Sequence, residues 1–196
     1  GASLLMCSAE TGATAVCKAL LDRGADFGQR SANGITALYL AAQNGHTDVV
    51  RTLIEKGAAP DICPDNGATP LIVASEYGHA GIVRLLSEQG ANVNLQDNHG
   101  STALILASQN GYAEIVSILL EKSSDMNIVD KNGSSALILA AQEGNTEIVR
   151  LLVEHGANTD LQTLNGNTAL ILASLMGHQE IVKMLLDKGT QVDLKA

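Results

Sequence analysis

Residues 165–174 read NGNTALILAS, and residues 99–108 read HGSTALILAS, 66 positions earlier. So apolar a phrase, written twice, fits a buried strand, a membrane-seeking stretch or one piece of a periodic chain. The glycines decide between these. Gly34, Gly67, Gly100, Gly133 and Gly166 recur at a step of 33, with Gly1 in the same phase. Gly12, Gly45, Gly78, Gly111, Gly144 and Gly177 form a second series at that step. A third runs Gly24, Gly57, Gly90, then Ser123, then Gly156 and Gly189. Three series in register at one period place the phrase inside a 33-residue repeat, read six times along the chain.

Each repeat reads as a turn followed by two short helices. Two residues after the first glycine stands Thr36, Thr69, Thr102, Ser135 or Thr168, a hydroxyl suited to accept from the free N–H groups of a helix start. Pro70 follows Thr69 at the first helical position, where its missing N–H costs nothing. The first helix runs through Leu-Ile-Leu-Ala residues and stops at the second glycine. The second helix carries apolar pairs one turn apart, Val49-Val50 with Leu53-Ile54 and Ile148-Val149 with Leu152-Val153, which is helical periodicity. Asn-Gly at Asn33, Asn66, Asn132 and Asn165 signals tight hairpins between repeats. Helices this short do not hold alone, and one repeat cannot bury its own apolar face. Stacked repeats bury each other's faces, which explains why TALILAS is apolar nearly throughout. The expected fold class is therefore all-α.

Composition narrows the function. Apolar residues make up 45% and aromatics 2%, with no Trp and Phe27 as the one Phe, so the core must be built from Leu, Ile, Val and Ala. A formal charge of −9 opposes binding to nucleic acid or to anionic membranes, both of which need clustered Lys and Arg. Cys7, Cys17 and Cys63 form no CxxC pair or disulfide framework and read as buried free thiols of a reducing compartment. No apolar run reaches the roughly 18–20 residues of a membrane span. The start, GASLLMCSAE, lacks the charged flank of a signal peptide, so a cytoplasmic or nuclear location is expected. It also lacks an initiator Met, which suggests a piece of something longer.

NGATPLIVASEYGHAGIVRLLSEQGANVNLQD (66–97) resembles an ankyrin repeat, and its neighbours share G-x-T-[AP]-L, G-H-x-x-I-V and L-L-x-x-G-A. The resemblance covers the whole chain as one domain, 1–196, with repeats near 1–30, 31–63, 64–96, 97–129, 130–162 and 163–196. It implies an ankyrin-repeat solenoid of stacked helix-turn-helix units with β-hairpin or turn tips. The histidine usual after T-P-L is replaced by Tyr39, Ile72, Ile105, Ile138 and Ile171, trading a local hydrogen bond for apolar packing. The family implies a non-catalytic module that grips a protein on its tips and on the concave edge of its first helices. Carried over by position, the tips are Asn33 and Ile35; Asp65 and Asn66; Asn98, His99 and Ser101; Lys131 and Asn132; Leu164, Asn165 and Asn167. The helix-edge pairs are Glu10-Thr11, Gln43-Asn44, Glu76-Tyr77, Gln109-Asn110, Gln142-Glu143 and Leu175-Met176. Glu10, Asp65, Glu76 and Glu143 against Lys131 favour a neutral or basic protein partner. Tyr77, Leu164, Leu175 and Met176 read as apolar anchors, with Tyr77 and Met176 expected in one continuous site. The last three equally suit packing against a further repeat.

Other chemistries find no support. Ser and Thr fall at repeated capping positions, no cysteine has a paired histidine, and the glycines are spread rather than clustered around a phosphate. His46, His79 and His178 sit at equivalent places in different repeats, too far apart to share a metal, and read as polar caps between the two helices of a repeat. No cofactor is expected. Asp48/Arg51, Glu147/Arg150 and Glu180/Lys183, each followed by an acid four residues on, read as ion pairs on a solvated outer face. Asn132-Gly133-Ser134 matches a glycosylation acceptor, but it lies in a tip common to all repeats. Ser123 is expected to adopt a positive φ, and with Gly81, Ser87 and the two prolines of AAPDICPDNG (58–67) it marks the third and fourth repeats as the softest. A monomeric protein-binding module is the principal reading. The alternatives are a targeting or scaffold region of a larger enzyme or effector, and self-association through an apolar end.

Overall fold

The computed structural model describes residues 2–192, and these form twelve α-helices. The contacts divide the chain into two compact units, 1–98 and 99–196. The first unit holds α1 (Leu4–Glu10), α2 (Thr14–Asp22), α3 (Ala37–Gln43), α4 (Thr47–Glu55), α5 (Pro70–Glu76) and α6 (Ala80–Glu88). Each odd helix packs against the even helix after it. The odd helices stack in the order α1, α3, α5 and the even ones in the order α2, α4, α6. The second unit repeats the plan with α7 (Ala103–Gln109), α8 (Ala113–Glu121), α9 (Ala136–Glu143), α10 (Thr146–Glu154), α11 (Ala169–Met176) and α12 (Gln179–Asp187).

The local causes are those the residue types dictate. Ser3, Thr36, Thr69, Thr102, Ser135 and Thr168 are the N-caps of the odd helices, each accepting from the N–H three residues on at 3.2–3.3 Å. Pro70 opens α5. The odd helices are nearly encircled: Leu71, Ile72, Val73 and Ala74 of α5 are all buried. The even helices bury one stripe only, as in Val49, Val50 and Leu53 of α4 or Ile148, Val149, Leu152 and Val153 of α10. Ile72, Ile105 and Ile138, standing where a histidine is usual, are buried in the stack.

The tips close tightly, with Ser31 N–H donating to Ile35 O at 2.9 Å and Asp130 N–H to Ser134 O at 3.0 Å, but the turn is not of the primed type. A primed turn centred on Asn-Gly needs positive φ at both residues. Among the described non-glycine residues only Ser123 has one, at φ 60°. The glycine instead closes an ordinary four-residue turn, as Gly34 N–H to Ser31 O at 3.0 Å, Gly67 to Pro64 at 2.9 Å and Gly133 to Asp130 at 3.0 Å. Two of these three turns carry a side-chain acceptor at their first position, which Pro64 does not supply to the third. Asp130 Oδ1 accepts from the N–H groups of Asn132 and Ser134, both at 2.8 Å, and Ser31 Oγ accepts from Ile35 N–H at 3.1 Å. These acceptors favour the unprimed turn. The isolated antiparallel bridge among the described residues is Val129 with Ser135.

Two further expectations are corrected. Cys17 is buried, with its Sγ 3.2 Å from Ser8 Oγ, but Cys63 is half-buried and Cys7 is exposed. Cys7 shares a face of α1 with the exposed Leu4, three residues before it. Of the ion pairs read along the even helices, Glu147–Arg150 forms at 3.2 Å. Two further pairs reach between neighbouring outer helices: Lys56 to Asp22 at 2.7 Å and Arg150 to Glu180 at 3.5 Å. Stacking sets neighbouring outer faces side by side, so these long side chains reach across as readily as along.

Candidate partner-binding edges

In each unit the C-terminal ends of the odd helices form an edge, and the histidines hold it. His46 Nε2 lies 2.9 Å from Glu10 O, and His79 Nε2 lies 2.9 Å from Gln43 O. In the second unit His178 Nε2 lies 3.0 Å from Gln142 O. A carbonyl only accepts, so Nε2 carries the proton in all three. Asn145 occupies the equivalent place and donates its amide to Ser108 O at 2.9 Å and Gln109 O at 3.1 Å. The histidine therefore does not bridge the two helices of its own pair, as the sequence suggested. It caps the first helix of the preceding pair. The glycines make room for it: a Cβ on Gly45 would stand 2.8 Å from His79 Cε1, and one on Gly144 would stand 2.6 Å from His178 Cε1.

The tips are joined in the same manner. In the first unit Asp65 N–H donates to Asn33 O at 3.1 Å, and Asn98 N–H to Asn66 O at 2.9 Å. In the second, Lys131 N–H donates to His99 O at 2.9 Å, and Leu164 N–H to Asn132 O at 2.8 Å. Backbone thus links tip to tip, and in the first unit a side chain adds to it, Asn98 Nδ2 donating to Asp65 O at 2.7 Å. Asn33, Asp65, Asn66, Asn98, His99, Lys131, Asn132 and Leu164 are exposed, as are Asn44, Glu76, Tyr77, Gln109, Asn110, Glu143, Leu175 and Met176. Ile35, Gln43 and Gln142 are half-buried. Ser101 is not a tip side chain, being 8% exposed. It stands where the chain turns into α7, and the residues at that place in other pairs, Ala68 and Ser134, are equally covered. Asn44 is exposed but engaged, donating to Leu40 O at 2.9 Å at the end of its own helix.

The first unit's edge contains a hollow of about 330 Å³ lined by Asn33, Ile35, Tyr39, Pro64, Asp65 and Asn66. Four of these were expected at the site; Tyr39 and Pro64 were not. For Tyr39 the sequence predicts only apolar packing in place of a histidine. The signal was its difference from the isoleucines at the same place. Burial pushes the Tyr39 hydroxyl above the usual tyrosine range, and the charge of Glu76 adds to this, while the Asn66 amide beside it works the other way.

The second unit's edge ends in an apolar group. Leu164, Leu175 and Met176 are 79%, 71% and 55% exposed. Beside them a hollow of about 430 Å³ opens on α11 and α12, lined by Ser174, Gly177, Val182 and Leu186 among others. Here Gly177 has no side chain over it, unlike Gly144 beneath His178. A family model described as ankyrin repeats (3 copies) matches residues 4–97, 61–130 and 104–196. The chain belongs to the ankyrin-repeat family. No curated protein matches it. Ankyrin repeats are in general protein–protein interaction modules and typically non-catalytic. In this ankyrin-repeat protein no group of three His, Cys, Asp or Glu among the described residues is placed to hold a metal. No helix among them is long and apolar enough to cross a membrane.

Proposed function

We propose that the chain is a non-catalytic adaptor that binds a protein partner through the exposed edge of its odd helices and tips. The observation that carries this reading is the division of labour at the edge. Main-chain atoms of Glu10, Gln43 and Gln142 are committed to the histidines, and those of Asn33, Asn66, His99 and Asn132 to neighbouring tips. Their side chains stand on that held frame, some of them bonded along it, as Asn66 Oδ1 to Ala68 N–H at 3.1 Å and Gln142 Nε2 to Glu143 Oε1 at 3.0 Å. In the first unit the contacts are Asn33, Ile35, Gln43, Asp65, Asn66, Glu76, Tyr77 and Asn98. In the second they are His99, Gln109, Asn110, Lys131, Asn132, Gln142, Glu143, Leu164, Leu175 and Met176. The acidic balance of the chain favours a neutral or basic partner, and binding by a monomer in the cytoplasm or nucleus suits this surface.

The test is capture from lysate by wild type in parallel with Glu76→Ala/Tyr77→Ala and with Leu175→Ala/Met176→Ala. Proteins held by wild type should be lost from one variant or the other. If both variants retain the same proteins at the same level, the edge is not the contact surface.

The open face of α11 and α12 favours a second reading, in which this end packs on another folded element and the chain serves as the targeting or scaffold region of a larger enzyme or effector. Leu186, 45% exposed, and Val182 lie on that face. Light scattering of Leu186→Lys beside wild type tests the form of it that involves a second copy: a monomer in both, at every concentration, removes self-association.

A further inference from the structure

We infer that the open end of the second unit binds a second copy of this chain, α12 lying on α12 across a two-fold axis. The inference rests on the second reading above and commits it to one occupant. Val182 and Leu186 share a face of α12, one turn apart, and both line the hollow of about 430 Å³ beside α11. Val182 is half-buried and Leu186 is 45% exposed. Each copy therefore offers an apolar side chain and a recess to receive one. Lys183 and Asp187 line the same hollow and are exposed. None of these four residues belongs to the edge contacts named above, and the monomer of the adaptor reading is the dilute form.

The order of charges along α12 decides the occupant. A two-fold contact is isologous: where residue i of one copy meets residue j of the other, j also meets i. An axis across the middle of α12 reverses the helix over its copy. Lys183 then stands against Asp187 of the second copy, and Asp187 against that copy's Lys183. The face is its own complement, and its two charges cancel in a chain of net charge −9, whose copies otherwise repel. Within one helix the same two residues pair less well, because an acid four residues before a base is the better order. Among the described residues neither forms an ion pair, while Glu180 of the same helix is taken by Arg150 at 3.5 Å. The other arrangement, the start of one copy on the end of another, fails at two points. At the joints the residue before the even helix donates to the preceding pair, as His178 Nε2 to Gln142 O at 3.0 Å, and the first pair has Ala13 in that place. Such stacking also never closes, so it builds fibres rather than a defined complex.

The test is sedimentation equilibrium of the whole chain over a range of concentrations. Wild type should pass from monomer to dimer and stop there. Leu186→Lys should stay monomeric, with an unchanged circular dichroism spectrum. Lys183→Asp and Asp187→Lys, each alone, should dimerise about tenfold more weakly than wild type, the order of two exposed ion pairs lost at once. Mixed in equal amounts, these two variants should regain wild-type association as a heterodimer, because each acid then meets a base across the axis. A monomer at every concentration of wild type, growth beyond the dimer, an undiminished dimer in Leu186→Lys, or a mixture no stronger than its components overturns the inference. The scaffold reading is judged separately. A wild-type chain that stays monomeric, but whose Leu186→Lys variant loses a protein captured from lysate, sinks the second copy and leaves that reading standing.

Discussion

The joint between helix pairs lends itself to a double-mutant cycle at Gly144 and His178. Gly144 sits at φ 76°, and a Cβ there would lie 2.6 Å from His178 Cε1 and 3.0 Å from both ring nitrogens. Gly144→Ala therefore carries two costs. Left-handed backbone costs an alanine about 1–2 kcal/mol, and forcing the ring aside costs about 1–3 kcal/mol more. His178→Ala removes one neutral hydrogen bond, to Gln142 O at 3.0 Å, worth about 0.5–1.5 kcal/mol. In the double variant the clash has no partner, so only the backbone strain and the lost hydrogen bond remain. The two changes should then be less costly together than their sum by about 1–3 kcal/mol, the size of the clash. Urea unfolding followed by circular dichroism measures this, compared at equal m-values. Additivity within about 0.5 kcal/mol would show that the imidazole does not occupy the space above the glycine, and the joint as described would be wrong.

Ser123 takes φ 60° where glycine stands at the equivalent places. Ser123→Gly should raise stability by roughly 0.5–1 kcal/mol, relief of left-handed strain less the entropy a glycine adds to the unfolded chain, and an unchanged or lower urea midpoint would contradict it. The Asp22 carboxyl is held below the usual carboxylate range, first by its hydrogen bond to Lys56 and then by that residue's charge. Its pKa is lowered on folding, so the contribution of the pair is present above the unfolded pKa and is lost as pH falls through the folded one. A carboxyl titration by NMR should show Asp22 moving up to an ordinary midpoint in Lys56→Met; no movement would remove the pairing. Hydrogen exchange should be fastest in 58–67, where two prolines fall, in α6, which holds Gly81, and in α8, which ends just before Ser123, against slower exchange in α9 and α10. Uniform protection along the chain would refute this.

Much of this architecture could be read from the residues because each feature has a local cause. The 33-residue glycine phase, the hydroxyl two residues after it and the Leu-Ile-Leu-Ala run each act within a few positions, and together they place all twelve helices. The tips were less legible. Asn-Gly predicts a primed hairpin only when nothing upstream competes, and Ser31 and Asp130 do compete, three residues before the glycine in each case. The histidines were misplaced for a related reason: their partner carbonyls lie 36 residues earlier, on the preceding pair, and no local pattern points that far. The hollow at Tyr39 was missed because it exists only between two tips, once Pro64 and Asp65 are brought over Ile35.

The same reasoning joins stability to recognition. A residue such as Gln43 faces two ways: its carbonyl receives His79 from the next pair, and its side chain stands at the edge. The equivalent places carry Glu10 and Gln142, whose carbonyls take the same bond from His46 and His178. Side chains there can vary without loosening the stack, because the bond that locks the joint ignores what the side chain is. A partner meeting such an edge pays little to order it, since the backbone beneath is already fixed at both helix ends and tips. The constraint also runs in reverse. Asn145 shows that the joint tolerates a different donor provided it reaches the same carbonyls, here at 2.9 and 3.1 Å. His178→Asn should therefore preserve both stability and edge geometry where His178→Ala preserves neither. If the asparagine variant unfolds as readily as the alanine one, the hydrogen bond is not what holds the edge, and the link between stacking and binding fails with it.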